Sequence, residues 1–244
     1  TDSRINSDLL KPVNQAGPGW YVTVVVSALV VLAAIGALGY QFSRGLGVWG
    51  INRPVFWALD ITNFVFWIGI SHAGTLISAI LRVTRAEWRS PVTRCAEAIT
   101  VFALMIGAMF PIIHLGRPQL FYWMVPYPNE RGLWPNFRSP LAWDFFAINT
   151  YLLGSIIYLY LPLIPDLALL RDKSRGLWRR IYGALSLGWR GTQLQWDRLE
   201  RAVRVMAVVI IPVAVAVHTI VSWDFAMTIR PMWHSTMFGP YFVA

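Results

Sequence analysis

The chain has 244 residues, of which 56% are hydrophobic and only 14% charged, and it carries 13 tryptophans. Its mean hydropathy of +0.51 excludes an ordinary soluble domain. The formal charge of +9 would suit nucleic acid, but the arginines lie between apolar stretches rather than in one basic domain, so membrane topology accounts for them and no nucleic-acid partner is expected.

Five stretches are long enough to cross about 30 Å of hydrocarbon at about 1.5 Å per residue. They run 20–42, 54–81, 95–115, 140–163 and 205–222. The predicted fold is therefore an all-α polytopic membrane protein. Residues 1–19 are polar and read as a lead-in, ahead of a first span too long for a signal-peptide core. That span, 20–42, holds no ionisable residue and is expected to be peripheral and lipid-facing. Span 2 differs: it carries Asp60, Asn63 and His72, with Gly69, Ala73, Gly74 and Ser78 allowing close helix approach. Pro54 suits its start. Span 3 ends at His114 with Pro111 nearby, span 4 opens on Ser139-Pro140, and span 5 contains Pro212, a predicted kink. Between spans 4 and 5 lies a basic segment, 171–204, whose stretch RGLWRRIYGALSLGWRGTQLQW reads either as an interfacial amphipathic helix with aromatic anchors or as a solvated loop. Residues 223–244 read as an outer loop and, at GPYFVA, the start of a sixth span, which points to a longer protein.

Fifteen of the 21 Lys and Arg residues fall on one side of these spans and six on the other. The positive-inside rule then puts the N-terminus in the cytoplasm, and the 114–146 connector on the outer side. The single Cys95 excludes an internal disulfide and a cysteine-held iron–sulfur cluster within the chain.

Ionisable side chains at membrane depth are costly and mark functional sites. Asp60 lies six residues into span 2, about 9 Å from its outer end. His114 ends span 3 on that side, Asp144 is about one turn into span 4, and Asp224 follows span 5. Four groups from four consecutive spans thus share one layer. Around them the connector adds Arg117, Arg131, Arg138, five prolines and many aromatics. A histidine with a carboxylate suits proton exchange with the ring oxygen of a quinol: neutral imidazole accepts the proton and the carboxylate orients it. Each group also has a plainer role. Asp144 can complement a helix N-terminus, Asp60 can pair with Arg53 or Arg117, Arg117 can anchor the rim, and Asp224 can be an exposed loop acid.

His72 lies about 27 Å from the outer start of span 2, where it suits a proton relay or a buried structural histidine, and His218 sits about 9 Å inward of Asp224. His114 with His218 leaves one b-type haem open; His72 and His234 match no partner in depth, and His234 reads as an ordinary loop residue. No metal ligand set is evident.

Several motifs are familiar. HLGRP (114–118), SPLAWD (139–144), SHAGTLISAILR (71–82) and WDFAM (223–227) resemble the NrfD-like, polysulfide-reductase-type family of quinol-interacting membrane subunits. GWRGTQLQW (188–196) is most similar to the larger such subunit of bacterial alternative complex III. The resemblance covers about residues 40–244. It implies a four-helix quinol-binding bundle over 54–222, with His114, Asp144 and Asp224 catalytic and lining a menaquinol site near the periplasmic surface. Arg117 and Asp60 join them as quinol-binding residues, and His72 and His218 belong to a proton pathway. It further implies a partner iron–sulfur subunit on the periplasmic side, with c-type cytochrome subunits beyond it, and a second NrfD-like membrane subunit among surrounding lipids. A bacterial plasma-membrane location follows from it too, and no tightly held cofactor in this chain. Two other classes stay open: a proton-translocating subunit using Asp60, His72 and His218 as relays, and a plain membrane anchor.

Overall fold

The structure, a computed structural model, describes residues 11, 15–50, 58–125, 140–228, 236–237 and 241. Pro54, Arg131, Arg138, Ser139, His234, nearly all of the 1–14 lead-in and most of the expected sixth span fall outside those residues. Among the described residues the chain is helical with no strand, and five helices are long and apolar enough to cross a membrane.

Helix α1 (Pro18–Arg44) starts with a proline where a backbone donor would be unpaired anyway, and stops at Gly45, whose φ of +81 favours glycine. Trp20, Val25, Leu29, Leu32 and Ile35 are all exposed. A helix apolar all round is suited to lipid on every side. It belongs to one compact unit, and the remaining helices form the other.

The second unit contains α2 (Ala58–Val83), α3 (Ser90–Gly107), α4 (Phe110–Ile113), α5 (Pro140–Lys173), α6 (Gly176–Leu185) and α7 (Gln193–Thr228). Packing closes a ring in which α2 touches α3, α3 touches α5, α5 touches α7, and α7 returns to α2. This is a four-helix bundle. Its stripes have heptad-like spacing, the pattern of nearly parallel helices at a bundle seam. On α7 the buried stripe includes Val203, Ala207, Ile210, Ala214, Val217, Val221 and Asp224. On α5 the stripe includes Ile148, Tyr151, Ser155 and Tyr158. Phe64, Ile68, Leu104, Tyr151 and Ile210 fill the apolar core.

Small residues set the α2–α3 spacing. A Cβ on Gly74 would stand 2.5 Å from Thr100 Oγ1 and 2.7 Å from the Ala96 carbonyl oxygen. Only glycine lets the two backbones approach this closely.

Three boundaries differ from the sequence expectation. Span 3 is broken at Ala108–Met109, because Pro111 lacks the N–H that would continue the ladder and instead sits in the first turn of α4. Helix α5 runs on through Pro162 and Pro165 to Lys173. Helix α7 begins at Gln193, twelve residues before the apolar stretch, since Gln193–Arg204 is charged yet rich in good helix formers. Its first turn is capped by Thr192 Oγ1, which accepts from Gln195 N at 3.3 Å. The basic segment 171–204 is thus mostly helical.

Candidate functional site

Each helix brings an ionisable group to the same end of the bundle. Asp60 is in the first turn of α2 and His114 caps the C-terminus of α4. Asp144 lies in the second turn of α5, and Asp224 is one turn from the end of α7. The shared layer expected from the spans is present, and its pairings are specific. His114 Nδ1 stands 2.9 Å from Asp60 Oδ2, with side-chain exposures of only 11% and 3%. Asp60 therefore pairs with the histidine, where the sequence offered Arg53 or Arg117. Asp60, and not Asp144, is the carboxylate at Nδ1. Asp144 and Asp224, from α5 and α7, are close enough to interact electrostatically.

Asp224 is the largest departure. It is 4% exposed and lies within α7, so it is not an exposed acid past the helix end. Its position on the stripe that includes Val217 and Val221 turns it into the bundle, and α7 extends to Thr228, beyond the apolar stretch that ended at 222. Arg117 is exposed, in the turn before the 3-10 segment Pro118–Met124.

A second set of polar groups runs along the inner face of α2 toward its other end. His72 is buried, with Nδ1 2.8 Å from the Ile68 carbonyl oxygen and Nε2 3.0 Å from the Ala214 carbonyl oxygen. Both partners only accept, so a neutral imidazole donates to one of them. Its ring stacks on Tyr151 at 4.9 Å and meets His218 edge-on at 5.2 Å. The sequence expected no partner for His72 at its depth. With α2 described from Ala58 and α7 reaching Thr228, the two histidines lie about 21 Å and about 15 Å from their helix ends on that side, close enough for their rings to touch.

From His72 the polar groups continue. Tyr151 OH donates to the Ser71 carbonyl at 3.1 Å and lies 2.6 Å from Thr75 Oγ1. Thr75 in turn is 3.4 Å from Thr100 Oγ1. Further along, Ser78 Oγ donates to Glu97 Oε1 at 2.6 Å and contacts Tyr158 OH at 3.3 Å. Arg82 closes the column: Nη2 donates to Glu97 Oε1 and Nε to Tyr158 OH, both at 3.2 Å. Sequence reasoning singled out only His72 and His218 here. The signal for the rest was available, since Ser71, Thr75, Ser78 and Arg82 repeat at three- and four-residue steps on one helical face.

Among the described residues no group of three or more His, Cys, Asp or Glu side chains could hold a metal ion. What is assembled inside the bundle is two pairs of ionisable side chains at one end, with buried hydroxyl, carboxyl and histidine groups toward the other.

These features define a multi-pass helical membrane protein with ionisable groups buried in its bundle. The family model described as polysulphide reductase, NrfD, matches residues 47–244, and the chain belongs to that family. Among its relatives, a putative membrane subunit of dimethyl sulfoxide reductase from Halobacterium salinarum is 28% identical over the whole of this chain and 51% of its own length. A selenate reductase subunit from Mesobacillus selenatarsenatis is 23% identical over 81% of this chain and 46% of its own length. The Hdr-like menaquinol oxidoreductase integral membrane subunit of Archaeoglobus fulgidus is 23% identical over 88% of this chain and 45% of its own. The chain spans about half the length of the curated relatives it matches.

Proposed function

We propose that this chain binds and oxidises menaquinol as a membrane subunit of a respiratory oxidoreductase of the alternative complex III type. The observation that carries the reading is the pairing of His114 with Asp60 and of Asp144 with Asp224 at one end of the bundle. Family membership and the menaquinol oxidoreductase relative from Archaeoglobus fulgidus support it.

Oxidation of a quinol to a quinone releases two protons and two electrons. His114, with Nδ1 turned to Asp60, takes one proton at Nε2, and the Asp60 carboxylate stabilises the imidazolium. The Asp144–Asp224 pair takes the second. Arg117 is a further residue assigned to quinol binding on the family resemblance. Both electrons leave to an iron–sulfur subunit docked over this end, and onward to c-type cytochromes, since no side chain here stores an electron. The site faces the periplasm and the N-terminus the cytoplasm, with a second NrfD-like subunit beside it in a bacterial plasma membrane.

A second reading rests on the column from His72 to Arg82. Two clusters of buried polar groups along one face of α2, one around Tyr151 and one around Glu97, support proton translocation coupled to the quinol reaction. His72 and His218 would pass protons between the column and the carboxyl pairs.

The test is quinol-dependent reduction of the partner redox centres in the purified complex, comparing wild type with His114→Ala and Asp144→Asn once each is seen to assemble with all its partners. General acid–base roles predict a loss of about 100-fold or more in intact complexes. Undiminished reduction in both variants would remove the quinol site from this end and leave an anchor or proton conduit.

A further inference from the structure

We infer that α6 and the turn after it form a docking surface for anionic phospholipid headgroups, on the side of the bundle opposite the His114–Asp60 pair. Helix length comes first. With 34 and 36 residues, α5 and α7 extend about 51 Å and about 54 Å, well beyond a hydrocarbon core of about 30 Å. Counted from the Asp144 end, the last residues of α5 and the first of α7 therefore project out of the hydrocarbon. Helix α6 joins these projecting ends.

It does not hang free. Arg171 Nη1 donates to the Trp189 carbonyl at 3.0 Å and to Ser186 Oγ at 3.3 Å. Tyr160 OH donates to the Leu185 carbonyl. Trp189 is buried against Ile164 and Ala168, inside the last third of α5. These contacts fold the 185–189 turn back along α5 to the level where its backbone leaves the hydrocarbon. A solvated loop would have none of them.

The surface held there has two chemistries. Leu177, Trp178, Ile181, Tyr182 and Leu185 fall on one arc of about 140° of the helix wheel, and Arg179 and Arg180 lie on the other side. Leu177 is 69% exposed and Trp178 60%, although α6 is seated on the bundle. Segment 171–204 carries nine Lys and Arg against three acids. Two of those acids are engaged locally: Arg171 chelates Asp172 at 2.8 and 3.1 Å, and Arg204 reaches Glu200 at 3.2 Å. The excess of positive charge beside an exposed apolar arc matches the phosphodiester layer of an anionic bilayer with acyl chains beneath it. A soluble acidic partner would match the charge and leave the tryptophan and leucines uncovered.

The experiment uses the full chain in nanodiscs. In a Cys95→Ser background, a nitroxide is placed at Leu177→Cys or at Arg180→Cys, and its collision rates with oxygen and with a nickel chelate are measured. The label at 177 is expected to favour oxygen, as lipid-inserted sites do, and the label at 180 to favour nickel. Phosphatidylglycerol retained through purification is measured in parallel. It should fall severalfold in Arg175→Gln/Arg179→Gln/Arg180→Gln, at up to about fivefold in surface partition per charge removed, and should be kept in the matching triple-lysine variant. Equal retention in the glutamine variant overturns the proposal. So does nickel access at position 177 equal to that at 180, which would place α6 in water or under a protein partner.

Discussion

Removing one hydroxyl, by Tyr151→Phe, tests whether the buried column is a real hydrogen-bonded structure. Tyr151 is fully buried, and its ring stacks on His72 at 4.9 Å. Phenylalanine keeps the ring, its volume and the stacking, so the perturbation is confined to the OH. Its two shortest contacts are 2.6 Å to Thr75 Oγ1 and 3.1 Å to the Ser71 carbonyl, and it also accepts from Ser71 Oγ at 3.4 Å. Side-chain hydrogen bonds between membrane helices are worth about 0.6 kcal/mol on average and about 1.7 kcal/mol at most. Two of them predict a destabilisation of about 1–3 kcal/mol, read as lowered thermal or denaturant stability of the purified protein. A double-mutant cycle with Thr75→Val sharpens the test, because the two side chains touch and their effects should be non-additive by about 0.6–1.7 kcal/mol. Strict additivity, or a Tyr151→Phe protein as stable as wild type, would refute the network. If the column also carries protons, quinol-driven acidification in proteoliposomes should drop while electron transfer persists.

Other outcomes follow from the same geometry. Gly74→Ala should force α2 and α3 apart and cost about 1–3 kcal/mol, seen as a lower unfolding midpoint; an unchanged midpoint would mean the helices are not in close contact there. Arg82→Ala strands Glu97, whose side chain is 1% exposed, and should cost about 3 kcal/mol or more, with Arg82→Ala/Glu97→Ala recovering much of the loss in the same unfolding assay. Asp60→Asn should slow quinol-dependent reduction while leaving the complex assembled, since it removes the charge that stabilises protonated His114; turnover at the wild-type rate would separate Asp60 from the reaction.

The five spans were legible from hydropathy because a bilayer demands long apolar runs, and the shared layer of Asp60, His114, Asp144 and Asp224 followed from counting residues along helices. Depth is a one-dimensional quantity that sequence supplies directly. Rotation about each helix axis, and the choice of neighbours around the ring, are not. That is why the four residues can be placed in one layer while the sequence sets His114 with Asp144 and the structure pairs it with Asp60. Asp224 was legible in part: it continues the Ala207, Ile210, Ala214, Val217 and Val221 spacing, but the span was cut where the apolar run ended and not where the helix did. Gln193–Arg204 escapes a hydropathy reading for the same reason, since a charged helix projecting from the bilayer has no hydropathy signal. The Ser78, Glu97, Tyr158 and Arg82 cluster was missed because each residue is ordinary when taken alone. Its meaning lies in three helices presenting those groups at one height.

The way α2 and α5 satisfy each other has a consequence for synthesis. Mean hydropathy is 2.6 for α1 but 1.8 for α2 and 1.7 for α5, and the hydroxyls of Ser71 and Thr75 find Tyr151 some eighty residues later in the chain. When α2 leaves the ribosome, the helix that will receive its polar face has not been made. Helix α1 can enter lipid as a finished element, whereas α2 and α3 must wait at the insertion machinery or shelter against one another until α5 arrives. The bundle is thus completed from its C-terminal side. A chain halted in the connector would present α2 to lipid with the His72 imidazole and the Ser71 and Thr75 hydroxyls still lacking their partners on α5 and α7.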